Sequence, residues 1–159
     1  MNKIQNILAY LCMHYPHKGE LSKARLTKLV YLADWFSSLA DSKQLTGIKW
    51  LFNHYGPYVD DITTNVAFHG SFKMTAEQTV YGTPKYLIQY FGDGSDISLS
   101  KRERQILDLV IDKTKSLYFN DFIDYVYSTY PVQSNNRYSY LDLVKLADEY
   151  RNETTALSA

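Results

Sequence analysis

The sequence predicts an α+β domain, mostly helical, with five or six helices packed around a small β-hairpin or sheet. Three observations carry this. Apolar residues recur at helical spacing in several separate segments. Two strand-like runs, FKMTAEQTVY and PKYLIQYF, flank a Gly82-Thr83-Pro84 turn signal. The 159 residues, 45% of them hydrophobic, suit one core and one domain, set here at residues 1–152 with a flexible tail at 153–159.

The first helix is expected over residues 3–15, where Ile4, Ile7, Leu8, Leu11 and Tyr15 share a face and Cys12 lies on the core side; Pro16 and Gly19 stop it. The second is the clearest. Ser22 is its N-cap, and Leu21 with Leu26 forms a hydrophobic staple. Leu26, Leu29, Val30, Ala33, Phe36 and Ala40 make its stripe. Tyr31, Leu32 and Trp35 widen that stripe, which predicts a central helix buried on more than one side.

IKWLF reads as a strand or extended segment. Gly56-Pro57 reads as the start of a third helix, because proline lacks the N–H that a first turn leaves unpaired. Asp60 and Asp61 then sit at the positive end of its dipole, and Gly70 closes it. After the hairpin, Ser100 and Glu103 form a capping box for a helix carrying Ile106, Leu107, Val110 and Ile111. A further helix spans about Asn120 to Thr129 with Phe122, Ile123, Val126 and Tyr127 inward. Pro131 ends it, and VQSNNR is a loop. The last runs from about Tyr140 to Arg151, with ETTALSA frayed.

Lysine plus arginine and aspartate plus glutamate each number 17, which argues against nucleic-acid binding by the whole surface but not by a local patch. Residues 1–50 carry seven basic and three acidic side chains, whereas residues 51–100 carry two and five. The single cysteine, Cys12, excludes an internal disulfide and fits a reducing, cytoplasmic setting. No apolar run approaches a membrane span. Tyrosine is abundant, at 15, with Tyr125, Tyr127, Tyr130, Tyr138 and Tyr140 in polar surroundings. Such residues suit half-buried core edges or protein interfaces.

Candidate chemistry is sparse. Cys12, His14 and His17 are metal-ligand types without the further ligands of a structural zinc site. Asp61, Asn65 and His69, spaced four apart with His54 nearby, are the types a hydrolytic metal site uses. GxGxxG, GxxxxGK[ST] and GxSxG patterns are absent. No cofactor or metal is expected. Lys23, Arg25 and Lys28 open the second helix after a short turn. Facing outward, they would meet DNA phosphates as in a helix-turn-helix, the alternative being a transcriptional autoregulator.

Residues 25–62 resemble the core signature of the Panacea domain of SocA-like antitoxins. Leu26, Lys28, Leu29, Tyr31, Ala33, Asp34 and Leu39 match a helix reading K-L-x-K-L-x-Y-x-A-D-x-x-x-L, and Tyr55, Gly56, Pro57 and Val59 match the following Y-G-P segment. Two departures stand out. Asn53 occupies the place three before the glycine where the family often has tryptophan, with Trp50 three earlier still, and Tyr130-Pro131-Val132 replaces a Pro-Trp step. The resemblance implies a non-enzymatic protein that binds and blocks a toxin in a bacterial or phage toxin–antitoxin pair. It leaves homo-oligomerisation open, and some relatives pass their toxin to a protease. On it, Lys28, Tyr31, Asp34, Tyr55 and Tyr58 are candidate toxin-binding residues, and Leu26, Leu29, Ala33, Gly56 and Pro57 are structural.

Overall fold

A computed structural model describes residues 1–80, 82 and 84–158. Helix α1 (Lys3–His14) opens with a capping box between Asn2 and Gln5. A single 3₁₀ turn at Lys18–Glu20 leads into α2 (Lys23–Asp41), and Ser22 accepts from the Arg25 N–H as its N-cap. Leu21 and Leu26 are both buried, as a staple requires. Helix α2 is the axis of the fold and is buried on several sides, though Ala40 is exposed.

Strands β1 (Trp50–Asn53) and β2 (Gly56–Tyr58) form a tight hairpin around His54 and Tyr55. Helix α3 (Asp61–Ala67) follows. Strands β3 (Phe72–Gln78) and β4 (Pro84–Tyr90) pair antiparallel as a second hairpin. Of its expected turn signal, Thr83 lies outside the described residues, as does Tyr81. Helix α4 (Lys101–Thr114) carries the Ser100–Glu103 capping box, with Ile106, Leu107, Val110 and Ile111 buried. Then come α5 (Phe119–Tyr127), α6 (Tyr130–Gln133), β5 (Tyr140–Leu141) and α7 (Leu143–Ser158).

The topology is mostly helical α+β. One sheet has the order β2-β1-β5; the other is the β3-β4 hairpin. Helix α2 packs against α7, α4, α1, α3 and α5. The β3–β4 hairpin is tied down through β4: the Ile88 N–H donates to the Leu21 carbonyl, and Leu87 bridges Ser22. Strand β3 is exposed beyond Phe72.

Several expectations are corrected. Gly56-Pro57 does not start a helix. Pro57 pairs with Phe52 on the edge strand β2, where a missing N–H costs no ladder bond, and α3 begins only at Asp61. Gly70 is not the cap of α3, whose C-cap is Phe68. Pro131 does not end a helix into a loop but lies in the first turn of α6, where its fixed φ is favourable. The last helix starts later than expected, because Tyr140–Leu141 pairs with Trp50 and Leu51. It also runs to Ser158. Among the described residues no helix is long and apolar enough to cross a membrane.

Candidate functional site

Residues three apart on a helix share a face. Lys28, Tyr31 and Asp34 descend one face of α2 in this way, and all three are buried. Their environments differ, and the differences define the site.

Asp34 sets the chain's course after α2. Its carboxylate accepts from the Thr46 backbone N–H at 3.0 Å, the Trp50 indole at 2.9 Å, the Gln44 amide at 3.3 Å and the Thr46 hydroxyl. Gln44 also donates to the Thr46 and Ile48 carbonyls. Three donors from the loop and one from the first residue of β1 therefore converge on one buried carboxylate and deliver the chain into that strand. Burial nevertheless outweighs these bonds and pushes the Asp34 carboxyl up to about 6.

Tyr31 packs edge-on against Trp50, ring centroids 5.6 Å apart, and its hydroxyl lies 2.9 Å from the Thr129 hydroxyl. It joins α2 to the corner between α5 and α6. Arg25, one residue ahead of Leu26, is satisfied inside the fold. It donates to the Tyr15 hydroxyl at 2.7 Å and to the Thr114 and Leu117 carbonyls at 3.0 and 2.7 Å, and stacks 4.5 Å over Phe122.

Lys28 is different. It is 4% exposed, and among the described residues nothing hydrogen-bonds or pairs with its ammonium. Burial lowers its pKa to about 8. The side chain passes under Gly56, where φ is +101° and an added Cβ would lie 3.6 Å from Lys28 Cε and 3.3 Å from Tyr127 Cε2. Lys28 thereby reaches a groove of about 430 Å³ walled by Tyr55, Phe119, Ile123 and Tyr127, with Asp124 at its exposed edge.

A second cavity, about 680 Å³, adjoins the first through the shared residues Ala24 and Phe119. Lys23, Lys85, Tyr86 and Tyr118 line it, and Lys23 Nζ sits 5.6 Å over the Tyr86 ring. Across both cavities Tyr55 and Tyr118 are each 78% exposed, and about half of Phe119 is open. The result is one aromatic, cation-bearing face built by the N-terminal turns of α2 and α5, the β1–β2 turn and β4.

Of the residues expected at a partner surface, Tyr55 is on this face, Tyr58 is half-buried with its hydroxyl donating to Asp60 at 2.9 Å, and Lys28 lies beneath the face. Asp34, expected at an exposed partner surface, is interior, as is Tyr31, which the helical stripe already places toward the core. Leu26, Leu29, Ala33, Gly56 and Pro57 are buried. Burial of Arg25 and Lys28 also removes two of the three bases that were to meet DNA phosphates.

The residues considered for metal chemistry go elsewhere. Cys12 is buried against the Ile88 carbonyl, and burial pushes its thiol up to about 12. His14 stacks on Tyr10. Asn65 bonds Asn2 and Gln5, His69 lies beyond α3 and accepts from the Ser71 N–H, and His54 stacks on Tyr55. Among the described residues no group of three or more His, Cys, Asp or Glu could hold a metal ion.

Tyr118 and Phe119 were not foreseen. The available signal was Phe119, which extends the Phe122–Val126 stripe one turn beyond the body of the core.

The family model described as "Antitoxin SocA-like, Panacea domain" matches residues 26–131, more than half of the chain and the span from the second turn of α2 to the start of α6. No curated protein and no solved structure matches the chain.

Proposed function

Because the chain belongs to the SocA-like antitoxin family, Panacea domain, we propose that it neutralises a cognate protein toxin by binding it directly, through the face formed by Tyr55, Tyr118 and Phe119. The mechanism is steric: the antitoxin covers the toxin's working surface or holds it in an inert pose, and no bond is made or broken.

One observation carries the placement. Three large aromatic side chains stand open around two adjoining cavities, whereas the exposed Phe68, Phe91, Tyr138 and Tyr140 line neither of them. Exposed aromatics grouped around concave surface are the anchors from which protein interfaces draw most of their affinity. The charge reading agrees: Lys23 and Lys85 flank the aromatics and suit a partner surface of acidic character.

Co-expression tests this reading. A neighbouring gene that is toxic alone should become harmless with this chain present, and the two proteins should co-purify. A toxic neighbour that is neutralised without any complex forming would contradict it.

A further inference from the structure

A lysine ammonium taken out of water normally acquires a carboxylate, because burying an unpaired charge is costly. Lys28 is 96% buried by exposure and has no acidic partner among the described residues. The acid that lines the same groove, Asp124, is exposed and forms no ion pair with it. We propose that the Lys28 groove receives the carboxylate of an aspartate or glutamate side chain from an internal segment of the toxin. This rests on the reading that the aromatic face meets a toxin, and names the chemistry of that contact.

The geometry favours this occupant. Gly56 has no side chain, so the approach beside Lys28 Cε stays open. Tyr55, Phe119, Ile123 and Tyr127 wall the groove and would keep water from the ion pair once it formed. Lys28 is partly desolvated in the free fold while its Nζ is not sealed from solvent, so a carboxylate entering the groove can reach it. The groove continues past Ala24 and Phe119 into the second cavity, which suits a segment passing across both rather than a chain terminus. Asp124 at the edge opposes a doubly charged phosphate, whereas one ammonium balances one carboxylate.

The titratable groups lining the groove with Lys28 are Tyr55 on the β1–β2 turn and Asp124 and Tyr127 on α5. Arg137 approaches from beyond α6, donating to the His54 carbonyl and the Tyr127 hydroxyl. Carboxylate binding favours charged Lys28, so affinity is full below its free pKa of about 8 and is lost as pH rises through it.

The test is a titration of the isotopically labelled full chain, followed by NMR, with the peptide acetyl-Phe-Glu-Phe-amide, its glutamine counterpart and inorganic phosphate. The glutamate peptide should shift the Tyr55, Gly56 and Ile123 amides and bind at least about tenfold more tightly than the glutamine peptide. That preference should fall about tenfold between pH 7 and pH 9. Lys28→Met should abolish it and Lys28→Arg should retain part of it. Equal binding of the two peptides, no shift with glutamate, or stronger shifts with phosphate would overturn the proposal; this wild-type comparison needs no variant to fold. A toxin bound equally by wild type and Lys28→Met would sink the groove while leaving toxin binding intact. Selective glutamate binding with no toxin bound would do the reverse.

Discussion

Trp50 donates its indole N–H to Asp34 Oδ2 at 2.9 Å, with both residues fully buried. This bond joins the two halves of the sequence signature, the long helix and the strand leading to Tyr55-Gly56-Pro57. The signature therefore describes how the β1–β2 turn is held over α2, and so how Tyr55 is placed above Lys28.

Asp34→Ala should be among the most destabilising single changes. It leaves the Trp50 indole, the Thr46 N–H and hydroxyl and the Gln44 amide without their shared acceptor. Each buried donor so orphaned costs about 1–3 kcal/mol, so a total loss of at least ~3 kcal/mol is expected in chemical denaturation. A loss under ~1 kcal/mol would show that the cluster does not organise the loop.

The same carboxyl sets a pH dependence. Its folded pKa, about 6, lies above the ordinary value of 3.8 because of burial. A raised acid favours the fold fully below its unfolded pKa, and that contribution is lost as pH rises through the folded pKa. The stability of wild type relative to Asp34→Ala should thus shrink by about 2 kcal/mol between pH 4 and pH 7. Denaturation of both proteins across that range checks it; a difference that grows with pH would contradict the assignment.

Gly56→Ala should cost about 1–3 kcal/mol, since an L residue is strained at φ +101° and its Cβ would press on Tyr127 at 3.3 Å. Gly19→Ala, with nothing within 4 Å of the added methyl, should change stability by no more than ~0.5 kcal/mol. Thermal melts of the two variants provide the comparison.

Arg25→Lys should lower stability by about 2 kcal/mol or more, because a lysine cannot reproduce the guanidinium fork that meets Tyr15, Thr114 and Leu117. A DNA-contacting arginine would behave otherwise. Its replacement would leave the melting temperature unchanged and alter salt-dependent binding to promoter DNA, measured by fluorescence anisotropy.

Local signals in the sequence were read well. The Ser22 cap, the Leu21–Leu26 staple and the Ser100–Glu103 capping box involve residues a few positions apart, and each forms as expected. Gly56-Pro57 was misread because a proline in a first helical turn and a proline on an edge strand look alike locally. The pairing with Phe52 decides between them. Pro131 shows the same ambiguity in reverse. Tyr31 belongs to the stripe that predicts a buried helix and also to the candidate partner residues; its partner Thr129, and those of Asp34 in residues 44–50, come from elsewhere in the chain. Burial supplied by such partners leaves no trace in helical periodicity. Tyr55 stands among the candidates through the Y-G-P signature alone; its exposure follows from the β1–β2 turn, and the cavities beside it from the packing of α5 on α2.

The central claim is that the aromatic face binds the toxin. Its most direct test is the affinity of the co-purifying toxin for the variant Tyr55→Ser/Tyr118→Ser/Phe119→Ser, measured by calorimetry after a melting curve has shown the fold intact. Replacing three anchors, each worth about 1–2 kcal/mol or more, should weaken binding by at least about a hundredfold and abolish protection of cells. An affinity equal to wild type would place the toxin on another surface and contradict the account.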